Sequence, residues 1–190
     1  EKSILTPYLS MDYSTQNAPI TIQEIDCNHN AINVVPKICS TILKIDSTLH
    51  MEILIKNIKQ VIKKYDFEID IYKINDEEVK LTSHGIGAHA AHPDLGINAI
   101  SRLIIVLDEV FKTYDISLAL FDFFTKYIYT DYDGKRLGIN DKDESGTLTL
   151  NVGKISLENN ILKIGFNLRI PIHTSIEHIE NTFLECLSDY

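Results

Sequence analysis

Residues 51–83 read MEILIKNIKQVIKKYDFEIDIYKINDEEVKLTS. Met51, Leu54, Ile55, Ile58, Val61, Ile62 and Tyr65 recur at helical spacing and predict one amphipathic helix. Phe67 to Ile74 and Val79 to Ser83 then predict two strands, with Asn75-Asp76 as the turn between them. Strands joined by so short a turn pair antiparallel, and a helix with one apolar face packs on one side of such a sheet. Asp46-Ser47-Thr48 offers that helix an N-cap.

Working outward, the N-terminal side predicts more strands. Ile4 to Met11 is strand-like, with Pro7 confining it to an edge. After a polar turn over residues 12–19, Ile20, Ile22 and Ile25 alternate with polar residues up to Cys27. Asn28-His29-Asn30 is a turn, and residues 31–45 are rich in β-branched side chains. On the C-terminal side, Ile100, Leu103, Ile104, Leu107, Phe111 and Tyr114 mark a second helix, and residues 117–129 a third. Residues 130–145 form a polar loop. Residues 146–157 and 161–170 predict strands around the turn Glu158-Asn159-Asn160. Thr174 and Glu177 have capping-box spacing for a last helix through Leu187. The expected class is α+β: an antiparallel sheet with helices on one face, arranged as two similar ferredoxin-like halves within a single domain, 1–190.

The formal charge of −9, from 18 basic and 27 acidic side chains, argues against a nucleic-acid surface. Lys56, Lys59, Lys63 and Lys64 fall on the solvated face of the predicted helix. No apolar run is long enough to cross a bilayer. Cys27, Cys39 and Cys186 lack metal-type spacing, and their odd number predicts free thiols suited to a reducing cytoplasm. The chain opens Glu1-Lys2-Ser3-Ile4, without signal-peptide character or an initiator Met, which reads as a fragment boundary.

The strongest local chemical signal is His84-Gly85-Ile86-Gly87-Ala88-His89-Ala90-Ala91-His92-Pro93. Three histidines suggest a metal, but no Cys and only Asp94 stand near to complete a ligand set. The simpler reading is a polar loop with one functional histidine. Small neighbours around His89 let the backbone approach another surface, where an imidazole can hydrogen-bond a developing oxyanion. Arg169, at the end of an apolar strand, is either a solvated strand-end charge or a planar fork for a carboxylate. Asp131, Asp133, Asp141, Asp143 and Glu144 lack the order of an EF-hand and read as a solvated loop.

Residues 87–100, from Gly87-Ala88-His89-Ala90 through Asn98-Ala99-Ile100, resemble the lid-domain signature of the zinc peptidases that include aminoacylase, carboxypeptidase G and PepV. Asn33-Val34-Val35-Pro36 is similar to the Asn-x-Val-Pro segment of the same lid. Ser145-Gly146-Thr147-Leu148-Thr149-Leu150-Asn151-Val152-Gly153 and Asn167-Leu168-Arg169-Ile170-Pro171 narrow the resemblance to the PepV-like, Xaa-His dipeptidase (carnosinase-type) group. Glu1-Lys2 is similar to the Glu-Lys-Gly entry to that lid.

The resemblance implies an enlarged lid (dimerisation-type) domain, flanked on both sides in the parent by a metal-binding catalytic domain. It implies that His89 stabilises the oxyanion, and that Asn33 and Arg169 bind the peptide's terminal carboxylate. It implies two divalent metals, zinc or manganese, in the parent and none in this chain. The partners implied are the parent's own catalytic domain and a dipeptide, with no nucleic acid or membrane. The family's His-x-Asp motif and metal-ligand Glu-Glu pair are missing here, so the isolated chain is expected to be inactive. The rival expectations are a related N-acyl amino acid deacylase or desuccinylase, and a stand-alone ferredoxin-like regulatory or dimerisation module.

Overall fold

Ile69–Lys73 and Glu78–His84 form the expected hairpin, and Met51–Tyr65 the expected helix in front of it. The computed structural model describes residues 1–14, 18–27 and 30–190. In chain order its elements are β1 (Ser3–Leu5), β2 (Tyr8–Asp12), β3 (Ile20–Asp26), β4 (Ile38–Ile45), α1 (Met51–Tyr65), β5 (Ile69–Lys73) and β6 (Glu78–His84). They continue with α2 (Ala99–Lys112), α3 (Ala119–Tyr127), β7 (Lys142–Asp143), β8 (Gly146–Thr147), β9 (Thr149–Glu158), β10 (Ile161–Ile170) and α4 (Ile176–Leu187). A 3₁₀ turn at Pro93–Leu95 precedes α2.

The class is α+β, and every strand pairing is antiparallel. The strands divide between two four-stranded sheets and the small β7–β8 ribbon. The first sheet has the order β3-β4-β6-β5. In the second, β10 lies between β9 on one side and β1 and β2 on the other. β1 and β2 are one edge strand interrupted at Pro7, whose carbonyl still accepts from the amide of Phe166 at 3.0 Å. A residue without an N–H interrupts a ladder in this way and stays at an edge.

Alternation decides which faces are buried. Cys39, Thr41 and Leu43 of β4 oppose Ser83, Leu81 and Val79 of β6, and all six are buried. Ser40, Ile42 and Lys44 oppose Thr82, Lys80 and Glu78 on the other face. The helices cover the first set. α2 is buried around most of its circumference, because it lies against α1, α3, β4, β6 and β9 and so joins the two sheets. Its N-cap, Asn98, accepts from the amides of Ile100 and Ser101 at 3.0 and 3.1 Å. The β9–β10 hairpin turns on Asn159 and Asn160, whose φ angles of 51° and 60° suit a two-residue type I′ turn.

Several local expectations are corrected. The turn expected over 28–30 lies partly outside the described residues. β4 starts at Ile38 rather than near Ala31, because residues 31–37 spend their backbone groups on another loop. The N-cap of α1 is His50, while Asp46 instead accepts from the Thr48 amide at 2.8 Å. The N-cap of α4 is Ser175, one residue after Thr174.

The free-thiol expectation also fails for two cysteines. Cys27 and Cys39 form a disulfide, leaving Cys186 free. Asp26 and Ser40 are the last pair of the β3–β4 ladder, so the next residues outward, Cys27 and Cys39, face each other. This register was not visible in their spacing, and two of the three cysteines are not the free thiols that a reducing compartment maintains. Among the described residues no helix is long and apolar enough to cross a membrane.

Candidate functional site

β9 and β10 carry an apolar face and a polar face. Leu150 and Val152 oppose Leu168 and Phe166 in the core. Thr149 and Asn151 oppose Arg169 and Asn167 on the other face. A loop over residues 30–36 lies across this polar face. The Asn151 amide donates to the carbonyls of Ile32 and Val34, both at 3.1 Å, and Asn30 donates to Val34 at 2.9 Å. Gly153 sits in a bulge of β9, between the pairs Lys154–Gly165 and Val152–Phe166. A Cβ there would lie 2.2 Å from the carbonyl oxygen of Ile32, so only glycine lets the loop approach this closely.

The His-rich loop packs on the first one. The Val35 amide donates to Ala88 at 2.8 Å, and the Ala90 amide to Asn33 at 2.9 Å. Val34 and His89 form an isolated antiparallel bridge. The Thr149 hydroxyl donates to the Ala90 carbonyl at 3.0 Å. Asn33, His89 and Arg169 therefore belong to one connected framework: Asn33 bonds Ala90, Ala90 bonds Thr149, and Thr149 is the cross-strand partner of Arg169.

All three side chains keep donors available. The exposed His89 accepts from the Ala91 amide at Nδ1, at 3.1 Å, so the neutral ring carries its proton on Nε2. The exposed Asn33 uses its backbone carbonyl, and its side-chain amide has no partner among the described residues. Arg169 is half-buried, and its Nε donates to Asn167 at 3.3 Å. No carboxylate lies within ion-pair distance of its guanidinium among the described residues. Each of these donors can bind anionic oxygen.

Beside this framework, Gly146 and Thr147 line a cleft with Lys2, Ala91, His92 and Thr149. Lys2 reaches into it to donate to the Thr147 carbonyl. His84 stands apart and pairs with Asp70 at 2.8 Å. The histidines 84, 89 and 92 form no common ligand set among the described residues; the group that does come together is Asp143, Glu144 and His173. There the His173 ring faces Glu144 at 2.8 Å. Asp143 accepts from the Ser145 hydroxyl at 2.5 Å and amide at 2.7 Å, and from the His173 amide at 2.9 Å. These bonds, the Ser145 hydroxyl foremost, hold the Asp143 carboxyl down at about 2. Asp131 organises its own loop by accepting from the amides of Asp133 and Arg136, and burial pushes its carboxyl up.

Thr149, Asn151, Asn30 and Gly153 hold the framework, and sequence reasoning assigned none of them a positioning role. Their partners lie far away in the chain, and no local pattern marks them. No protein-family model and no curated protein matches this chain.

Proposed function

We propose that this chain is the substrate-binding lid of a dinuclear metal-dependent dipeptidase of the PepV-like group, working in a parent protein against a separate catalytic domain. The carrying observation is the connected framework that presents Asn33, His89 and Arg169 with donors uncommitted. Two further features support it: both loops are bonded to a rigid hairpin, and the imidazole tautomer leaves a proton on its outer nitrogen. In this reading, a pair of divalent cations held by the catalytic domain supplies the activated water. Arg169 grips the free C-terminal carboxylate with its planar fork, Asn33 adds a second donor, and His89 donates through Nε2 to the oxygen that gains charge. Gripping the C-terminus from the lid confines the scissile bond to very short peptides.

The test is steady-state kinetics of the metal-loaded parent on dipeptides and on N-acyl amino acids. His89→Ala lowers kcat by roughly 10²–10³-fold, the usual effect of losing one oxyanion donor. Near-wild-type kcat in that variant defeats the assignment. Faster turnover of N-acyl amino acids than of dipeptides would favour the deacylase alternative.

A further inference from the structure

A cavity of about 250 Å³ opens in front of the first turn of α2, and none of Asn33, His89 and Arg169 lines it. Its polar wall includes Asp94, Ser101 and Arg102, and its apolar wall Val35, Phe67 and Ile97. We propose that this cavity is a second ligand site that takes a free aliphatic α-amino acid, its carboxylate on Arg102 and Ser101 and its ammonium on Asp94.

Three observations carry the assignment. Arg102 is only partly committed: one Nη donates to the His84 carbonyl at 3.0 Å, and the guanidinium lies 5.1 Å from the centre of the Phe67 ring. No carboxylate stands within ion-pair distance of it among the described residues, so Nε and the other Nη remain for a ligand. Ser101 is 3% exposed, yet its hydroxyl has no hydrogen-bond partner among the described residues. Its oxygen is not fully enclosed and opens on the cavity, where a ligand can bond it. Asp94 lines the same cavity; it is exposed, and its carboxylate makes no hydrogen bond or ion pair among the described residues.

The charges select the ligand. A simple anion would meet Arg102 and the positive end of α2, but would face Asp94 as well. A simple cation would satisfy Asp94 and oppose Arg102. A zwitterion satisfies both. Asp131, also in the wall, accepts a backbone amide on each oxygen and keeps lone pairs that can share the same ammonium. The volume lies below the about 300–1,000 Å³ of sites for drug-sized molecules and suits a ligand as small as a single amino acid. The site uses none of the three donors above and stands or falls independently of the hydrolase reading.

The test is titration of the chain, followed by calorimetry and amide chemical shifts, with three probes: L-leucine, 4-methylpentanoate without the ammonium, and 3-methylbutylamine without the carboxylate. L-leucine is expected to bind at least tenfold more tightly than either analogue and to shift the amides of Asp94, Ser101 and Arg102. Arg102→Gln, Asp94→Asn and Ser101→Ala are each expected to weaken it at least fivefold. The Ser101 hydroxyl makes no bond in the fold, so Ser101→Ala keeps the test valid even if Arg102→Gln unfolds. No binding of L-leucine at millimolar concentration overturns the proposal. So does equal binding of 4-methylpentanoate, or affinity unchanged in Ser101→Ala and Asp94→Asn.

Discussion

The hydroxyl of Thr149 donates to the backbone carbonyl of Ala90 at 3.0 Å, which fastens the residue after His89 to the strand opposite Arg169. Thr149 and Ala90 are both buried, so removing the donor strands a carbonyl away from water. Thr149→Val keeps the shape and deletes the bond. It is expected to lower stability by about 1–3 kcal/mol, the usual effect of a buried group left unpaired, and to broaden or shift the amide signals of residues 88–92. Urea unfolding and an amide spectrum measure both. Unchanged stability with an unchanged His89 amide would show that the bond does not position the loop.

Gly153 sets how closely the Asn33 loop lies on β9. In Gly153→Ala the new Cβ meets a backbone carbonyl, that of Ile32, and backbone does not swing aside as a side-chain tip does. The loop must lift. The expected outcome is a loss of roughly 1–3 kcal/mol, typical of overpacking, with shifts concentrated in residues 31–35. A crystal structure of Gly153→Ala with that loop in place would contradict this.

Asp143 gives a pH prediction with a definite sign. Its carboxyl titrates near 2 in the folded chain against 3.8 ordinarily, because the Ser145 hydroxyl and two backbone amides bind its charged form. A folded-state value below the unfolded one stabilises the fold above about pH 4, and that contribution fades as pH falls toward 2. Asp46, Glu52, Asp76 and Asp141 are lowered as well, so the wild-type curve alone is not specific. The difference in Tm between wild type and Asp143→Asn isolates the residue: it should shrink between pH 4 and pH 2. Parallel Tm curves would remove the assignment.

The elements with strong local patterns were legible in the sequence. The stripe Met51 to Tyr65 became α1, and the hairpins around Asn75-Asp76 and Asn159-Asn160 formed where their turns predicted. The failures have a common physical origin. Residues 31–37 are as β-branched as a strand, but their hydrogen bonds go to Ala88, Ala90 and the Asn151 side chain, partners set only by tertiary structure. The Cys27–Cys39 pairing needed the register of β3 on β4. For the site, the residue types at 33, 89 and 169 suggested donors, and the resemblance to the peptidase lid supplied their proposed roles. That one hydrogen-bonded chain connects them through Ala90 and Thr149 was visible only in the fold.

The central claim is that Arg169 reads a free C-terminal carboxylate. It is tested most directly by comparing kcat/KM of the metal-loaded parent for a dipeptide and for the same dipeptide as its C-terminal amide, in wild type and in Arg169→Ala. The account predicts that wild type strongly prefers the free acid and that Arg169→Ala handles the acid and the amide alike, its loss on the acid appearing mainly as a raised KM. An Arg169→Ala enzyme that still prefers the free acid as strongly as wild type would contradict it.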